Sequence, residues 1–320
     1  MSQEMGNRYD YTSIGFYTFD CLGRPVTDIP PGGDTFFIEE LTLAVSGAAG
    51  SAAIVAAKHG LDVLAVGGVG DDDMGDWVLA KLRHFGVDTS GMERCSGVGT
   101  SSSIVTTRPD GQRPALHMKG ATGAFEVKAE QLDQVLDASI VHVGGAGLMD
   151  RMDGAPCAAL MREAKRRGST TTLDVFAATT EDMEGVAMLL PHTDYFLPSI
   201  EEAEALSGLS DRADIASWFI DQGAACCVLT LGEKGAYYHH GDGTRFHSPA
   251  FDIDVVCTCG CGDAFNAGFA SGLHHGLDAG ETVRLAQACS ALNATGLGSQ
   301  AGVVDYESTL AFATSCRRLT

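Results

Sequence analysis

The stretch Cys257–Phe265, CTCGCGDAF, carries three cysteines at alternate positions and ends in Gly-x-Gly-Asp. Such a stretch can be a thiolate metal site, a redox element or a tight glycine turn. Structural zinc sites draw on two separated ligand pairs, and thioredoxin-like redox sites use Cys-x-x-Cys. No Cys-x-x-Cys occurs anywhere in the 320 residues. The spacing therefore favours a glycine turn.

The segments on either side of the turn indicate what it can bind. FDIDVV (251–256) predicts a strand, and the Ala- and Gly-rich residues from 263 onward predict a helix. Gly260 and Gly262 would then lie in a strand-to-helix turn that needs positive φ and close backbone approach. The first turn of a helix exposes unpaired N–H groups at its positive end, which suits a phosphate.

Asp263 lies at the mouth of this predicted anion site. A carboxylate there can accept the proton of a substrate hydroxyl while backbone amides hold the phosphoryl group being transferred. Taken alone, Asp263 is equally well explained as a helix N-cap. The residue pattern by itself leaves both interpretations open.

The rest of the chain alternates short apolar runs with helical segments. The apolar runs that predict buried strands are 61–70, 139–145, 171–176, 193–199 and 224–232. This alternation predicts an α/β fold with a doubly wound, mostly parallel sheet and helices on both faces. We expect one such domain over residues 1–320.

Two segments, at about 20–42 and 97–122, interrupt the alternation. The first is rich in Pro and Gly, and the second predicts a hairpin with its turn at RPDGQ. Open α/β sheets bind ligands at the carboxyl ends of their strands. We expect the two segments to form a small β-sheet lid there, which would shield a reaction from water.

Composition excludes several classes of partner. The formal net charge is −21 and the pI is about 4.6, which argues against nucleic acid and anionic membranes as partners. No apolar run approaches the roughly 20 residues of a membrane span. Residues 1–16 lack the pattern of a signal peptide. A cytoplasmic protein with reduced cysteines is the expectation.

CTCGCGDAF resembles the late signature of the ribokinase-like (PfkB) family of carbohydrate kinases, which is close to Asp-Thr-x-Gly-Ala-Gly-Asp-x-Phe. The family's catalytic base matches Asp263, and the anion hole matches Gly260, Cys261 and Gly262. Further matches follow in family order along almost the whole chain. The resemblance implies an enzyme that uses ATP and Mg²⁺ to phosphorylate a primary hydroxyl of a sugar or sugar-like substrate.

The same resemblance implies further site residues. Substrate hydroxyls would be bound at Asp20, Ser46, Gly47 and Ser51. The nucleotide would be bound at Thr230, Gly232, Gly235, Gly298 and Ser299. PSIEEAEAL (198–206) resembles an Asn-x-x-Glu motif, in which Glu202 would hold Mg²⁺ through water.

Several motif positions differ from the family pattern. Ser46, Ser51 and Ser199 replace a glycine and two asparagines, so Ser199 is expected to give Glu202 less help in organising Mg²⁺. Cys257 replaces an aspartate that assists a monovalent cation. Because hard cations prefer oxygen ligands, K⁺ is a doubtful cofactor.

These departures keep alternatives open. The chain could be a catalytically weak paralogue that binds a sugar or nucleoside, or a nucleoside kinase of the adenosine type. A dinucleotide-dependent oxidoreductase ranks low because Gly-x-Gly-x-x-Gly does not follow the first strand, and no P-loop motif is present. The residues leave the substrate open among sugars, sugar acids, polyols, nucleosides and sugar phosphates.

Two expectations concern the predicted lid. Arg108 and Arg113 flank its turn, and either could reach a substrate phosphate, although solvated loop charges are the favoured interpretation. The resemblance also implies that the lid pairs with the lid of a second copy, so a homodimer is expected.

Overall fold

The computed structural model describes residues 7–176 and 179–319, and in these residues strands and helices alternate. The strands are β1 (Tyr9–Gly15), β2 (Thr18–Arg24), β3 (Glu40–Ser46), β4 (Val63–Gly70), β5 (Asp88–Cys95), β6 (Ser102–Thr106), β7 (Ala115–Met118), β8 (Ala138–Ala146), β9 (Thr170–Val175), β10 (Tyr195–Phe196), β11 (Cys226–Thr230), β12 (Ala236–His240) and β13 (Arg245–Ser248). The helices are α1 (Ala48–Lys58), α2 (Asp73–His84), α3 (Leu132–Val135), α4 (Ala155–Arg166), α5 (Met183–Ala187), α6 (Ile200–Ser207), α7 (Arg212–Asp221), α8 (Cys261–His274), α9 (Ala279–Ala294) and α10 (Tyr306–Ser315). Residues 1–6, on which part of the signal-peptide argument rests, lie outside the described ranges.

The main sheet has nine strands in the order β13-β12-β11-β10-β9-β8-β1-β4-β5. The pairs from β5 through β11 are parallel, whereas β12 and β13 continue the sheet antiparallel. The predicted doubly wound, mostly parallel sheet is confirmed. All seven parallel strands end at the same edge, where ligands bind in such folds.

Both faces of this sheet are covered by helices. On β4, Leu64 and Val66 join a core formed with α4, α6 and α7, whereas Val63 and Ala65 join a core formed with α1, α2 and α8. Successive residues of a strand point to opposite faces. This double burial explains why the predicted strands are continuous apolar runs.

A second, four-stranded sheet has the order β3-β2-β6-β7. The β2–β3 and β6–β7 pairs are antiparallel, and β2–β6 is parallel. The two segments that interrupt the α/β alternation therefore do come together in one small sheet.

The prediction of a strand at 251–256 is wrong. In this segment only Phe251 makes a β-bridge, to Arg318, and the N–H of Val256 donates to the carbonyl of Ala294. Phe251 and Ile253 pack against α9 and α10 rather than against a sheet. The apolar alternation that suggested a strand is thus satisfied by helices.

The small residues of α8 allow it to lie very close to α9. A Cβ added at Gly268 would lie 2.6 Å from Cys289 Sγ and 2.8 Å from Ala286 Cα. This close contact fixes α8, whose N-terminus carries the CTCGCGDAF turn. Of the described helices, none has the length and hydropathy needed to cross a membrane.

Candidate active site

The CTCGCGDAF turn ends in the N-terminus of α8. Its N-cap, Gly260, has a left-handed backbone with φ 73° and ψ 11°. A Cβ at this position would lie 2.7 Å from Ser299 Oγ, so both conformation and space require glycine. The N–H of Ala264 donates to the Gly260 carbonyl at 2.9 Å. The N–H groups before it lie at the positive end of the helix.

Gly262 has a different role from Gly260. It lies within the first helical turn, is exposed, and is not among the residues with positive φ. The expectation that both glycines need positive φ is therefore wrong for Gly262. An added Cβ would meet no atom within 4 Å, so this position leaves open space in front of the helix.

The three cysteines of the turn make hydrogen bonds within the turn and to α9. The Cys257 sulfur accepts from the Cys259 N–H at 3.4 Å, and Asn293 of α9 donates to the Cys259 carbonyl at 2.7 Å and to Cys261 Sγ at 3.4 Å. Burial raises the pKa of Cys259 to about 12 and that of Cys261 to about 11, so both thiols are neutral at pH 7. Among the described residues, no group of three or more His, Cys, Asp or Glu side chains could hold a metal ion. The cysteines shape the turn, and Asn293 is a supporting residue that sequence reasoning missed.

Asp263 faces a cavity of about 750 Å³ that lies between the main sheet and the four-stranded sheet. We call it the carboxylate cavity because Asp20, Asp174, Glu202 and Asp263 line it. Burial raises the pKa of Asp263, and the charge of Asp20 acts in the same direction. The hydroxyl of Ser51 and the guanidinium of Arg113 oppose this shift. The net result is a carboxylate that holds a proton more readily than one in water.

Asp174 belongs to the site and was not predicted. It lies at the carboxyl end of β9 and is only 8% exposed. Burial, together with the charges of Glu202 and Asp263, raises its pKa well above the usual value. The available signal was its position, since the strand predicted over 171–176 ends just after it.

Glu202 is held by Ser199 at the start of α6. Its Oε2 accepts from the Ser199 hydroxyl at 2.7 Å and from the Ser199 N–H at 3.0 Å, and the Glu202 N–H donates back to Ser199 Oγ at 3.2 Å. This is a capping box. Ser199 therefore holds the Glu202 carboxylate in place, and the expectation that Ser199 gives Glu202 less help in organising Mg²⁺ stays a prediction. Burial raises the pKa of Glu202, and these hydrogen bonds lower it.

Asp20 enters the cavity from β2 of the four-stranded sheet. It is 4% exposed, and its Oδ1 has no hydrogen-bond partner among the described residues. Burial of a carboxylate oxygen without a hydrogen-bond partner is costly. Asp20 is therefore suited to accept hydrogen bonds from hydroxyl groups in the cavity.

The remaining predicted substrate residues divide into two groups. Ser46 and Gly47 line the carboxylate cavity, and Ser46 Oγ lies 2.8 Å from Ser299 Oγ. Ser51 is fully buried on α1, and its hydroxyl makes no hydrogen bond of ordinary geometry. Since its hydroxyl lowers the pKa of Asp263, Ser51 lies behind that carboxylate and not on the cavity wall. This differs from the expectation that Ser51 binds substrate.

A second cavity of about 540 Å³ adjoins the first. We call it the apolar cavity because Phe251, Phe265 and Ala291 line much of it. Residues shared by the walls of both cavities are Thr230, Gly232, Thr258, Cys261 and Gly262. The N-terminus of α8 thus lies at the junction of the two cavities.

Thr230 and Gly232 line both cavities, and their expected role in nucleotide binding stays a prediction. Gly235 also lines the apolar cavity, with φ 92°, and a Cβ on it would lie 2.0 Å from the Ser248 carbonyl oxygen. Its lack of a side chain is therefore a requirement of packing. Gly235 completes a tight turn, which is closed by the Leu231 N–H donating to the Gly235 carbonyl at 2.8 Å. This turn positions Gly232 at the cavity.

Gly298 and Ser299 are not among the described residues that line the apolar cavity, and their expected role in nucleotide binding stays a prediction. Ser299 instead lines the carboxylate cavity, and Gly298 faces Thr42 of β3.

Comparison with known proteins assigns the family. The model described as pfkB family carbohydrate kinase matches residues 23–305, so the chain belongs to this family. It is a kinase that transfers a phosphoryl group from ATP to a sugar.

Two relatives and one solved structure illustrate the similarity. The chain is 34% identical over 255 residues to an ATP-dependent ribose-1-phosphate kinase of Halopiger xanaduensis, covering 78% of this chain and 80% of the relative. It is 26% identical over 307 residues to an ATP-dependent 6-phosphofructokinase of Thermoanaerobacterium thermosaccharolyticum, covering 94% and 92%. The structure of Arabidopsis thaliana ribokinase complexed with ribose and ATP superposes with a TM-score of 0.82 at 22% identity, covering 97% and 99%.

Proposed function

We propose that the protein transfers the γ-phosphoryl group of ATP to a primary hydroxyl of a sugar, with Asp263 as the general base. The observation that carries this proposal is the position of Asp263 in the first turn of α8, where the carboxylate cavity meets the apolar cavity. The two substrates would approach from opposite sides and meet at this helix end.

Asp263 is suited to the role of base because of its surroundings. Because its pKa is raised, Asp263 accepts a proton more readily at neutral pH than an ordinary carboxylate does. The guanidinium of Arg113 lowers the pKa of Asp263 and so keeps the ionised carboxylate accessible. The buried hydroxyl of Ser51 supports the ionised carboxylate from behind. We infer that Ser51 positions Asp263 and does not touch the sugar.

The backbone at the start of α8 would stabilise the transferring phosphoryl group. Its unpaired N–H groups and the positive end of the helix favour the negative charge of that group. Gly260 sets the direction of these N–H groups, and Gly262 leaves the space that the phosphate needs. Phosphoryl transfer depends mostly on such positioning and electrostatics.

The nucleotide would occupy the apolar cavity. Phe251, Phe265 and Ala291 offer an apolar surface for a base, and Thr230 and Gly232 stand where this cavity opens toward α8. The phosphates would then extend toward the shared wall. The named ligands of the ribokinase structure, ribose and ATP, agree with a two-substrate cleft of this kind.

The carboxylates of the site fit Mg²⁺. This ion keeps several waters and binds through one or two carboxylates together with substrate phosphates. Glu202, fixed by Ser199, and the neighbouring Asp174 supply such oxygens, with no all-protein cage among the described residues. When bound, Mg²⁺ would neutralise charge on the phosphates. K⁺ remains a doubtful cofactor, since the Cys257 side chain offers sulfur within an apolar cluster.

The sugar would bind between Asp20, Ser46 and Gly47 on one side and Asp263 on the other. We propose that the four-stranded sheet, which supplies Asp20, acts as a lid on this cavity. The names of both curated relatives specify sugar phosphates as acceptors, and that of the ribokinase structure specifies ribose. These names support a sugar acceptor here.

The test is an assay of ADP release with Mg-ATP and a panel of sugars, sugar phosphates, sugar acids, polyols and nucleosides. Asp263→Asn is expected to lose roughly 10²- to 10⁴-fold in kcat while it still binds ATP. The matched control is Asp254→Asn, the same change at an exposed position before the turn. An unchanged rate in Asp263→Asn would remove this residue from the mechanism, and silence of the wild type with retained sugar binding would favour a weak paralogue.

We also propose a homodimer through the four-stranded sheet. Leu43, Ile104 and Leu116 lie in one cross-strand row on its outer face and are 41%, 57% and 72% exposed. An exposed apolar row of this kind favours association. Light scattering should give twice the mass of one chain for the wild type and one chain for Leu116→Lys, and a monomeric wild type would contradict the proposal.

A further inference from the structure

Arg113 lies on the cavity-facing side of the segment that leads into β7. Arg113, Ala115 and His117 line the carboxylate cavity, whereas Leu116 and Met118 do not, and all five side chains are exposed. This is the alternation of an extended strand. Arg113 is therefore an exposed loop charge that also borders the carboxylate cavity.

The same face carries a row of polar groups. Asp20 pairs with Ser103 across β2 and β6, and Ser103 pairs with His117 across β6 and β7. Ser103 Oγ lies 3.0 Å from His117 Nδ1. Burial lowers the pKa of His117, so its ring is neutral at pH 7 despite the nearby charge of Asp20. The row can bind hydroxyl groups, and Arg113 supplies the positive charge beside it.

Arg113 has no ion-pair partner within 4 Å among the described residues, although its cavity contains several carboxylates. The carboxylates on this wall are Asp20, Asp174, Glu201, Glu202 and Asp263. A guanidinium keeps its charge at every physiological pH and matches planar or tetrahedral anions with paired hydrogen bonds. An unpaired guanidinium on the wall of a binding cavity points to an anionic group on the ligand.

An anionic acceptor also needs this charge for electrostatic reasons. Without Arg113, the acidic wall would repel a phosphate or carboxylate that enters the cavity. Arg113 acts on the same region as the reacting carboxylate, since its charge lowers the pKa of Asp263. One sugar could thus place a hydroxyl at Asp263 and an anionic group at Arg113.

We propose that the acceptor is an anionic sugar, bearing a phosphate or carboxylate that Arg113 binds while the Asp20–Ser103–His117 row binds its hydroxyls. The proposal rests on the proposed function, because it names the substrate class of the same site. It assigns Arg113 as a specificity residue, and its signature is a loss confined to charged acceptors.

The experiment compares wild type, Arg113→Gln and Arg108→Gln with three acceptors: fructose, fructose 6-phosphate and gluconate. Arg108 is the matched control, since it belongs to the same turn and is not part of the described cavity wall. For the wild type we expect kcat/KM to be highest with fructose 6-phosphate or gluconate, and the better of the two identifies the anionic group. In Arg113→Gln the KM for that acceptor should rise roughly 10- to 100-fold, as expected for loss of hydrogen bonds to a charged group. The KM for fructose should be unchanged in Arg113→Gln, and Arg108→Gln should match the wild type with all three acceptors.

Two results would overturn the proposal. One is a wild type that prefers fructose, and the other is an Arg113→Gln variant whose KM is unchanged for every acceptor, which would show that Arg113 does not bind the acceptor. Failure of the proposed function is distinguishable, because it appears as no ADP release with any acceptor. In that case, equilibrium binding of the same three compounds to wild type and Arg113→Gln still decides the specificity claim.

Discussion

Replacing Asp174 by Asn should change how the stability of the protein depends on pH. Asp174 is 8% exposed, and burial with the charges of Glu202 and Asp263 raises its pKa well above the value of 3.8 expected in an unfolded chain. Between these two pKa values the folded protein keeps a proton that the unfolded chain has released. The free energy of unfolding must therefore fall as the pH rises through this interval.

The size of the effect follows from the proton count. One proton held by the folded state and absent from the unfolded state gives a slope of about 1.4 kcal/mol per pH unit. The stabilising contribution is complete below about pH 4, and it is lost as the pH rises through the folded pKa of Asp174. Glu202 and Asp263, whose pKa values are also raised, add to the fall with the same sign. Asn cannot ionise, so Asp174→Asn should remove up to about 1.4 kcal/mol per pH unit from the slope.

The assay is urea denaturation of the protein without nucleotide or Mg²⁺, from pH 4.5 to pH 8, for wild type, Asp174→Asn and Asp221→Asn. Asp221 is exposed at the end of α7 and provides the same chemical change outside the site. We expect the free energy of unfolding of Asp174→Asn to fall less steeply than that of the other two. Parallel curves for all three proteins would refute the reasoning, because they would show that Asp174 binds no extra proton in the folded state.

Three further changes test how the turn and the metal-side carboxylate are built. Gly260→Ala should lower the melting temperature, since a left-handed alanine costs about 1–2 kcal/mol and its Cβ would lie 2.7 Å from Ser299 Oγ. Gly262→Ala should keep or raise the melting temperature, because alanine favours a helix, yet raise the KM for ATP as its methyl enters the shared wall. Ser199→Ala should cost about 1 kcal/mol of stability through the lost N-cap, and the acid limb of the pH–rate profile should move to higher pH because one hydrogen bond that lowers the pKa of Glu202 is removed. Calorimetry measures the melting temperatures, and initial rates measure the KM for ATP and the pH–rate profile. Equal melting temperatures for both glycine variants, or an unmoved acid limb in Ser199→Ala, would contradict these expectations.

The main sheet and the turn could be predicted because their causes are local. A parallel strand buried on both faces is an apolar run such as Val63–Gly70, and a left-handed N-cap demands the glycine found at 260. The sequence placed Asp263 at the start of a helix, and it lies in the first turn of α8. These features need no knowledge of what lies across the fold.

The features that escaped prediction depend on distant residues. Asp174 enters the site because β9 is brought beside β10, whose following helix α6 carries Glu202. Asn293 reaches the turn from α9, far along the chain from Cys259. The apolar alternation at 251–256 gave no indication that helices rather than a strand would cover it. Pattern alone carries no information on which partner an element meets.

The cysteines of CTCGCGDAF show which parts of the turn its chemistry uses. Cys257 and Cys259 are buried in an apolar cluster with Leu22, Val105 and Leu297, and Cys259 also borders the carboxylate cavity. In the proposed mechanism, the turn offers a phosphate its backbone N–H groups, whose direction is set by the left-handed Gly260, and the side chain that acts on the acceptor is that of Asp263. A small, neutral thiol satisfies the packing at these inward positions as well as a small polar group would. The unusual residues of the signature thus change its inner packing and leave the proposed phosphate-binding backbone and base in place.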